Sequence, residues 1–340
     1  MASQQTHLQP SPQLFFSTVN AYQRTEALKA AIGLEIFTAI GEGNQTAATI
    51  ARRCRASERG TRMLCDFLVI SGFLSKEGSQ YALTGDSATF LDRRSPGYMG
   101  GAIGFLLNPM MLKHWHNLAD AVRKGGTSMS ESDVLAPDHP VWVEFARSMA
   151  PLMAMPAELL ANYLKADEGH KWKILGLAVG HGLYGIAIAR RNPHCDVYVV
   201  DWPNVLQVAQ ENAIAAGLGK RYHTIPGSAF EVEYGTGYDI VLIPNFLHHF
   251  DPPTCEKLLR KAHAALKPGG RVVILEFVPN DDRVSPPQPA GFSLMMLVST
   301  ESGDAYTYPE FEKMLHNAGF RSSDKHPLVP DFFTVVVGHK

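Results

Sequence analysis

The chain has 340 residues, of which 45% are hydrophobic and 19% charged, and this composition excludes an intrinsically disordered polymer. Its net charge of −2 gives no general attraction to nucleic acid or acidic membranes, and its four scattered cysteines are too few for a disulfide scaffold. The polar start MASQQTHLQPSPQ and the lack of any apolar run near ~18 residues predict neither a signal peptide nor a membrane span, so we expect a cytoplasmic protein.

The first hundred residues predict a mainly helical domain. Apolar residues recur at nearly helical spacing over residues 14–40. Thr46 is placed to cap a short helix over residues 47–54, and a second helix is predicted over residues 58–71, where Gly72 ends it. We therefore expect two short helices after a longer helical segment.

Residues 73–84, with the sequence FLSKEGSQYALT, predict a β-hairpin with Gly78 in its turn. Two helices followed by a hairpin are typical of a winged-helix domain. Such domains bind DNA or serve as dimerisation platforms. Because no dense stripe of lysine and arginine follows the second helix, the platform is favoured over DNA binding.

Residues 101–165 are again predicted to be mainly helical, and they are rich in methionine. The methionines are Met110, Met111, Met129, Met149, Met153 and Met155. Methionine adapts to irregular gaps, so spacing alone favours filling of a core. The same side chains are also suited to the wall of an apolar ligand pocket, and both interpretations stay open.

The second half of the chain alternates apolar strands with helices. The strand-like runs are KILGLAV, CDVYVVD, YDIVLIP and GGRVVILEFV, each followed by a helical segment. This alternation predicts an α/β fold with a parallel sheet covered by helices on both faces. Two last strands, FRSSDKHPL and FFTVVVGH, joined by a loop with Pro330, predict a closing antiparallel hairpin. The expected segments are 1–100, 101–165 and 166–340.

A turn with the sequence AVGHG, residues 178–182, follows the first of these strands and opens a helix. Gly180 and Gly182 let backbone N–H groups approach a ligand closely. Asp201 ends the next strand, where an acidic side chain can accept hydrogen bonds from both hydroxyls of a ribose. Asp201 is also placed to cap the helix that begins with Pro203, and the two roles are compatible.

The sequence argues against one class of phosphate-binding protein. The GxxxxGK[ST] motif of NTPases is absent from the sequence, whereas residues 180–185, GHGLYG, have the GxGxxG spacing of nucleotide-binding turns. A turn without the NTPase motif, followed by a ribose-binding acid, is compatible with a nucleoside cofactor without phosphates. S-adenosylmethionine is the obvious candidate.

Several segments together resemble the class I S-adenosylmethionine-dependent O-methyltransferases of the caffeate, hydroxyindole and antibiotic type. They are LGLAVGHG, VVDWPNVL, PGSAFE, YDIVLIPNFLHHFD, LKPGGRVVILEFVPN and SLMMLVSTESGDAYTYPEFEKML. The resemblance covers nearly the whole chain. It implies a Rossmann-like seven-stranded methyltransferase sheet with a C-terminal antiparallel hairpin, and an N-terminal winged-helix domain that forms an intertwined homodimer.

The resemblance also implies a site for S-adenosylmethionine, with S-adenosylhomocysteine as the product. In it Asp201 would hold the ribose hydroxyls, Trp202 would pack beside the adenine, and residues 228–230 would border that ring. The residues implied for the cofactor are Gly180, His181, Gly182, Asp201, Trp202, Gly227, Ser228, Ala229, Phe230 and Asn245. Those expected in an apolar substrate pocket are Met149, Met153, Phe292, Met295 and Met296. The expected partner is a small aromatic or polyketide-like substrate, with no metal, nucleic acid or membrane.

His248 matches the general base of the family, and Glu276, at the end of the next strand, matches the glutamate that orients it. An imidazole with a pKa of about 6.5 is suited to remove the proton of a phenol during attack. A carboxylate partner would fix its tautomer. From the residues alone, the pair His248 and His249 is also consistent with a metal half-site or with helix capping, although no further ligands stand at metal spacing. Glu276 is likewise open to pairing with a buried cation.

Four positions depart from the family pattern. Gly176 stands where an acidic residue is usual, Ala178 and Val179 change the turn, and Ala305 stands where many plant members have a second glutamate. An ammonium group left unpaired near Gly176 would cost roughly 1–3 kcal/mol of binding free energy.

Two other functions stay open at this point. One keeps the fold but uses bound S-adenosylmethionine without consuming it, to promote rearrangement, decarboxylation or hydroxylation. The other is a DNA-binding regulator that binds DNA with the winged helix and senses a ligand with the second domain. A nitrogen or carbon acceptor also stays open.

Overall fold

A computed structural model describes residues 10–129 and 139–340 of the chain. Contacts divide the chain into two compact units, Met1–Ile103 and Gly104–Lys340. The first unit is mainly helical, and the second contains a seven-stranded sheet. The expected division into three segments stays a prediction.

The first unit follows the order of elements that the sequence predicts. Its elements are α1 (Gln13–Val19), α2 (Ala21–Gly33), α3 (Ile36–Gly41), α4 (Ala47–Cys54), α5 (Glu58–Ile70), β1 (Leu74–Glu77), β2 (Gln80–Leu83) and α6 (Gly85–Phe90). The predicted cap of α4 is confirmed, because Thr46 Oγ1 accepts a hydrogen bond from the backbone N–H of Thr49 at 3.3 Å. Ser57 caps α5 in the same way through the N–H of Gly60 at 3.1 Å.

The long apolar segment over residues 14–40 forms three helices. Glu35 separates α2 from α3 with a left-handed φ of 59°, which an L-residue adopts at a cost and which ends helical hydrogen bonding. The hairpin is also confirmed, since β1 and β2 pair antiparallel and Gly78 has a φ of 56°. The winged-helix interpretation of this unit stays a prediction.

Helix α1 has no buried residue, although four of its seven side chains are apolar or aromatic. Leu14, Phe15, Phe16 and Val19 are each more than half exposed within the single chain. Isolated apolar residues on a surface need no explanation, but a continuous apolar patch marks an interaction site.

The second unit begins with helices and continues into the sheet. Its helices are α7 (Ile103–Leu106, at the boundary), α8 (Pro109–His116), α9 (Leu118–Lys124) and α10 (Val141–Tyr163), followed after the first sheet strand by α11 (Leu183–Arg191), α12 (Pro203–Ala215), α13 (Pro252–Ala265), α14 (Pro287–Ser299) and α15 (Tyr308–Asn317). Met153 and Met149 on α10 pack into the main core of this unit, whereas Met155 is more than half exposed. The first two therefore serve as core residues.

The sheet has seven strands, in the order β5-β4-β3-β6-β7-β9-β8. The strands are β3 (Lys173–Leu177), β4 (Asp196–Asp201), β5 (Tyr222–Pro226), β6 (Tyr238–Pro244), β7 (Leu266–Glu276), β8 (Ser322–Val329) and β9 (Phe333–His339). Neighbouring strands are parallel except β9, which runs antiparallel to both β7 and β8. The predicted α/β fold, its parallel sheet and its closing antiparallel hairpin are confirmed.

Side chains that alternate along the strands form two cores, one on each face of the sheet. Ile174 of β3 packs with α10, α11 and α12, whereas its neighbour Leu175 packs with α13 and α15. Because both faces are covered, the central strands are apolar at nearly every position. The carboxyl ends of the parallel strands therefore meet at one edge, which is where open α/β sheets bind ligands.

In the part of the chain that the structure describes, no helix is long and apolar enough to cross a membrane.

Candidate active site

The turn between β3 and α11 has an unusual backbone. Ala178, Gly180 and Gly182 have φ values of 50°, 55° and 75°, all in the left-handed region that favours glycine. A Cβ on Gly182 would overlap the hydroxyl of Tyr222, so only glycine fits there. Beside Gly180 an added Cβ would meet no atom within 4 Å, so this side of the turn is open to a ligand.

Asp201, the last residue of β4, connects this turn to the next strand. Its Oδ2 accepts a hydrogen bond from the N–H of Gly180 at 2.9 Å, and its Oδ1 accepts one from the N–H of Trp202 at 2.7 Å. Burial outweighs these two bonds and raises the pKa of Asp201 to about 6. Asp201 is not the cap of α12, because Trp202 occupies the N-cap position and Pro203 the first helical one. The capping alternative for Asp201 is therefore wrong.

His181 lies at the centre of the same turn and is buried. Its Nδ1 accepts a hydrogen bond from the N–H of Leu183 at 3.1 Å, and its backbone oxygen accepts one from the Asn212 amide at 2.9 Å. Burial lowers the pKa of His181 to about 4, so the ring is neutral near pH 7. Asn212 carries no motif that sequence analysis recognises, and its contribution was missed.

The predicted adenine border lies at the end of β5. The N–H of Gly227 donates to the backbone oxygen of Asp201 at 2.9 Å, and the N–H of Phe230 donates to Ser228 Oγ at 3.2 Å. The backbone oxygen of Ala229 accepts a hydrogen bond from the hydroxyl of Tyr234. The structure therefore brings the Asp201 strand end and residues 227–230 together.

Trp202 packs against α10 and α12 through a small apolar cluster with Ala146, Val205 and Val208. Its indole is half-buried in the chain.

The next two strands bring His248 and Glu276 together. β6 and β7 are parallel neighbours, with Pro244 opposite Leu275, so their carboxyl ends meet. Glu276 is the last residue of β7, and His248 lies in a 3-10 turn, Leu247–His249, shortly after β6. The distance from His248 Nδ1 to Glu276 Oε2 is 2.7 Å, and the backbone N–H of His248 donates to Oε1 at 3.4 Å. Both side chains are buried, with 7% and 1% of their surface exposed.

This pair fixes the role of each ring nitrogen. An ionised carboxylate only accepts hydrogen bonds, so we assign the Nδ1 proton of His248 to the bond with Glu276. Nε2 is then left without a proton and can accept one. No grouping of three metal-binding side chains occurs within residues 10–129 and 139–340.

His249 lies directly against His248, with the two ring centroids separated by 4.3 Å. Burial and the neighbouring ring of His248 lower the pKa of His249 well below its ordinary value, so His249 is neutral near pH 7. It therefore adds no positive charge beside His248.

Asn245 follows β6 with a left-handed φ of 51°, and its N–H donates to the backbone oxygen of Leu275 at 2.8 Å. Its buried side-chain Nδ2 has no hydrogen-bond partner among the residues that the structure describes. A buried donor without a partner costs free energy, so this amide is available to a ligand at the strand ends.

An aromatic wall, Phe277 with Phe292, lies on one side of His248. The Phe292 ring meets His248 edge-on at 4.9 Å and stacks on Phe277 at 4.0 Å. Met295 and Met296 lie three and four residues after Phe292 on α14, so they share its face of the helix. Of the predicted pocket residues, the structure brings Phe292 directly to His248, whereas the Met153 sulfur accepts a hydrogen bond from the Tyr184 hydroxyl at 3.3 Å.

The positions that depart from the family pattern are tightly packed. A Cβ on Gly176 would lie 2.6 Å from Val179 Cγ1, so the valine side chain occupies the space beside this strand end. Ala305 is completely buried. No acidic side chain can be added at Gly176 without moving Val179.

Comparison with known proteins matches both units. Residues 115–321 match the O-methyltransferase domain, and residues 16–93 match the O-methyltransferase dimerisation domain. The chain belongs to the O-methyltransferase family. Its cofactor is S-adenosylmethionine, and the enzyme class is methyltransferase, as the sequence predicts.

Relatives of this methyltransferase chain align over nearly its full length. The crystal structure of a candidate O-methyltransferase from Nostoc punctiforme PCC 73102 is 52% identical, covers 98% of this chain and 100% of its own, and has a TM-score of 0.93. The 3-hydroxy-5-methyl-1-naphthoate 3-O-methyltransferase of Streptomyces sahachiroi is 29% identical over 91% of this chain and 89% of its own. Human N-acetylserotonin methyltransferase, solved with S-adenosylmethionine, shares the fold with 23% identity, coverage of 100% and 99%, and a TM-score of 0.83.

The carboxyl ends of β3, β4 and β6, with the turn 178–182, Asp201 and Asn245, form the crevice in which we expect the cofactor. This crevice fits the nucleoside part of S-adenosylmethionine. Asp201 supplies a buried carboxylate, Gly180 leaves open space beside the turn, and Asn245 supplies an unpartnered amide donor. The strand end at Gly176 is different, because Val179 makes it apolar. The crevice is therefore lined by a polar side chain at Asp201 and by the apolar side chain of Val179 beside Gly176.

Proposed function

We propose that this methyltransferase transfers the methyl group of S-adenosylmethionine to a phenolic or enolic hydroxyl of a small aromatic molecule, with His248 as the general base. The observation that carries the proposal is the buried bond of 2.7 Å between His248 Nδ1 and Glu276 Oε2. A base held in one tautomer by a buried carboxylate is a recurring arrangement for proton removal.

When bound, S-adenosylmethionine supplies an electrophilic methyl group. Asp201 would accept hydrogen bonds from the ribose, while residues 228–230 and Trp202 would border the adenine. Asn245 would donate its free amide proton at the strand ends. These contacts would orient the methyl donor, and holding a reactant in place is a large part of the acceleration of a two-reactant step.

His248 and Glu276 carry out the removal of the proton from the acceptor hydroxyl. His248 Nε2 accepts the proton of the acceptor hydroxyl, and Glu276 Oε2 retains its bond with Nδ1–H and stabilises the imidazolium that forms. His249 stays neutral beside it, so no second cation opposes this charge. The buried position of the pair strengthens the attraction, because the local dielectric is low.

The aromatic wall supports a planar apolar acceptor. Phe292 and Phe277 present stacked rings next to the base, and aromatic rings favour offset-stacked and edge-to-face partners. The relative from Streptomyces sahachiroi acts on a hydroxyl of a naphthoate, which agrees with this substrate class. We infer from it that the acceptor carries a hydroxylated ring system.

Substitution of the base tests the mechanism. We expect His248→Ala to lower kcat by about 10²–10⁴-fold and Glu276→Gln by a smaller factor, because loss of the base removes proton transfer and loss of the carboxylate only its support. The measurement is transfer from labelled S-adenosylmethionine to a panel of phenols and naphthols. His316→Ala, an exposed histidine of α15, is the matched control and should keep wild-type activity.

Two outcomes would contradict the proposal. Unchanged turnover by His248→Ala would exclude proton removal by this ring. Product formed without an equal amount of S-adenosylhomocysteine would favour use of the cofactor without its consumption.

We also propose a homodimer formed through the first unit. The match of residues 16–93 to a dimerisation domain and the exposed apolar side chains of α1 support it. Arg53 of this unit forms ion pairs with Glu35 and Glu42. Its charge is therefore compensated within the chain, which supports a winged-helix unit that serves dimerisation and not the binding of nucleic acid.

A further inference from the structure

The turn that carries His248 has few hydrogen bonds of its own. The 3-10 turn Leu247–His249 is stabilised by the N–H of His249 to Phe246 O at 3.3 Å and the N–H of Phe250 to Leu247 O at 3.2 Å. Both distances are at the long end for a backbone hydrogen bond. A short turn of this kind does not hold a side chain within a fraction of an ångström by itself.

Two side chains from other elements bind the carbonyl groups at either end of this turn. The thiol of Cys255, on α13, donates to the oxygen of Leu247 at 3.2 Å and also lies within bonding distance of the oxygen of Phe250, at 3.7 Å. The hydroxyl of Tyr306 donates to the oxygen of Phe250 at 2.5 Å. The two bonds therefore restrain the residues immediately before and after the two histidines.

The segment that carries Tyr306 lies directly against the same backbone. A Cβ on Gly303 would overlap the carbonyl oxygen of His248, so these two segments of the backbone are in contact there. Tyr306 itself is 4% exposed, and its ring meets Phe311 of α15 edge-on at 5.9 Å. Because the ring of Tyr306 is buried and packed against Phe311, its hydroxyl has a fixed position.

We propose that Tyr306 and Cys255 are positioning residues for the general base. They hold the turn 247–250 so that His248 Nδ1 remains hydrogen-bonded to Glu276 Oε2. The proposal rests on the proposed function of His248. Both side chains donate to backbone carbonyls of the turn, so both act through its backbone. Sequence analysis assigned no role to either residue, although Tyr306 lies within one of the segments that carry the family resemblance.

Removing one hydroxyl tests the proposal. For Tyr306→Phe we expect kcat to fall about 3- to 10-fold, because a small misplacement of a catalytic group is costly, with KM for the acceptor and Kd for S-adenosylhomocysteine within twofold of wild type. The proton NMR signal of the His248 Nδ1–H bond, assigned with His248→Gln, should broaden or move upfield. The matched control is Tyr308→Phe, whose hydroxyl lies 3.1 Å from Ser323 Oγ, and it should change neither quantity.

The cysteine supplies an independent arm. Cys255→Ala should change the Nδ1–H signal and kcat in the same direction as Tyr306→Phe, whereas Cys255→Ser keeps a donor and should restore both. Thermal unfolding of each variant shows whether it is folded, and the Cys255 pair carries the test if Tyr306→Phe does not fold.

The outcomes separate this proposal from the proposed function. The Nδ1–H signal is read in the free protein, so it does not depend on the acceptor. A wild-type signal in both folded Tyr306→Phe and folded Cys255→Ala would overturn the positioning role, and so would a loss of kcat without a change in this signal. If the signal changes but no phenol is methylated by the wild-type protein, positioning stands and the proposed function fails.

Discussion

Asp201 connects three backbone segments of the crevice. Its carboxylate accepts hydrogen bonds from Gly180 and Trp202, and its main-chain oxygen accepts one from Gly227. Burial raises its pKa above the ordinary value of 3.8 to about 6, even though both hydrogen bonds favour the charged form. The carboxylate therefore gains a proton at a mildly acidic pH.

This shift predicts pH-dependent cofactor binding. A carboxylate accepts hydrogen bonds from the ribose better when ionised, and with a pKa of about 6 its ionised fraction falls about tenfold between pH 7 and pH 5. We expect Kd for S-adenosylhomocysteine to rise by up to about tenfold over this range, as measured by isothermal titration calorimetry. Asp201→Asn should bind weakly at both pH values. A wild-type Kd that is flat down to pH 5 would contradict the assignment.

Most residues brought together at the crevice carried signals in the sequence. Asp201 and Glu276 each end an apolar strand, and the topology of parallel strands brings such ends to one edge. Asn212, Cys255 and Tyr306 were missed, because each acts on a backbone carbonyl, which lies 31 and 56 residues away for Asn212 and Tyr306 and eight residues away for Cys255. A hydrogen bond of this kind depends on the folded path of the chain and leaves no local pattern.

The strand-turn-helix element around β3 has a steric coupling of its own. Gly176 and Val179 share one space, because a Cβ on the glycine would lie 2.6 Å from Cγ1 of the valine. Both residues are buried, so neither side chain can turn toward solvent. Substituting both positions together should therefore cost less free energy of unfolding than the sum of the two single substitutions.

We expect Gly176→Ala to lower the free energy of unfolding by about 1–3 kcal/mol through overpacking. Val179→Ala removes the overlapping methyl group, so the double variant should be less destabilised than the sum of the single ones. Urea unfolding of all four proteins measures this coupling. Gly291→Ala, inside α14 where an added Cβ meets nothing, is the control and should be neutral or stabilising. Additive single effects would contradict the coupling.

Strands were predictable where they are buried on both faces and not where they lie at an edge. β3, β4 and β6 are mainly apolar runs, and so is the second half of β7, which is the pattern of central parallel strands. β5 was not recognised from its residues, because it is an edge strand with alternately exposed positions and polar His223 and Thr224. Only the family resemblance supplied the seventh strand.

At the scale of the whole molecule, the exposed aromatic side chains of α1 predict self-association. Phe15 and Phe16 are more than half exposed, and aromatic residues contribute strongly when an interface buries them. We expect Phe15→Glu with Phe16→Glu to raise the dimer dissociation constant at least about 100-fold. Light scattering coupled to size-exclusion chromatography measures the change.

The control for this experiment is Ile214→Glu. Ile214 is a similarly exposed apolar residue on α12 of the second unit, and its change should leave the dimer intact. If the α1 double variant has the same mass as the wild type at low micromolar concentration, α1 does not form the interface.

The position of β9 has a consequence for synthesis of the protein. β9 follows β8 in the chain but lies between β8 and β7, and Thr334 of β9 pairs with Glu276 itself. While a ribosome is still making residues 333–339, β7 is an unprotected edge and β8 has no neighbour to join. An unpaired edge is a template for aggregation. Until this late insertion closes the sheet beside the carboxylate on which the proposed chemistry depends, the edge of β7 is open to pairing with another chain.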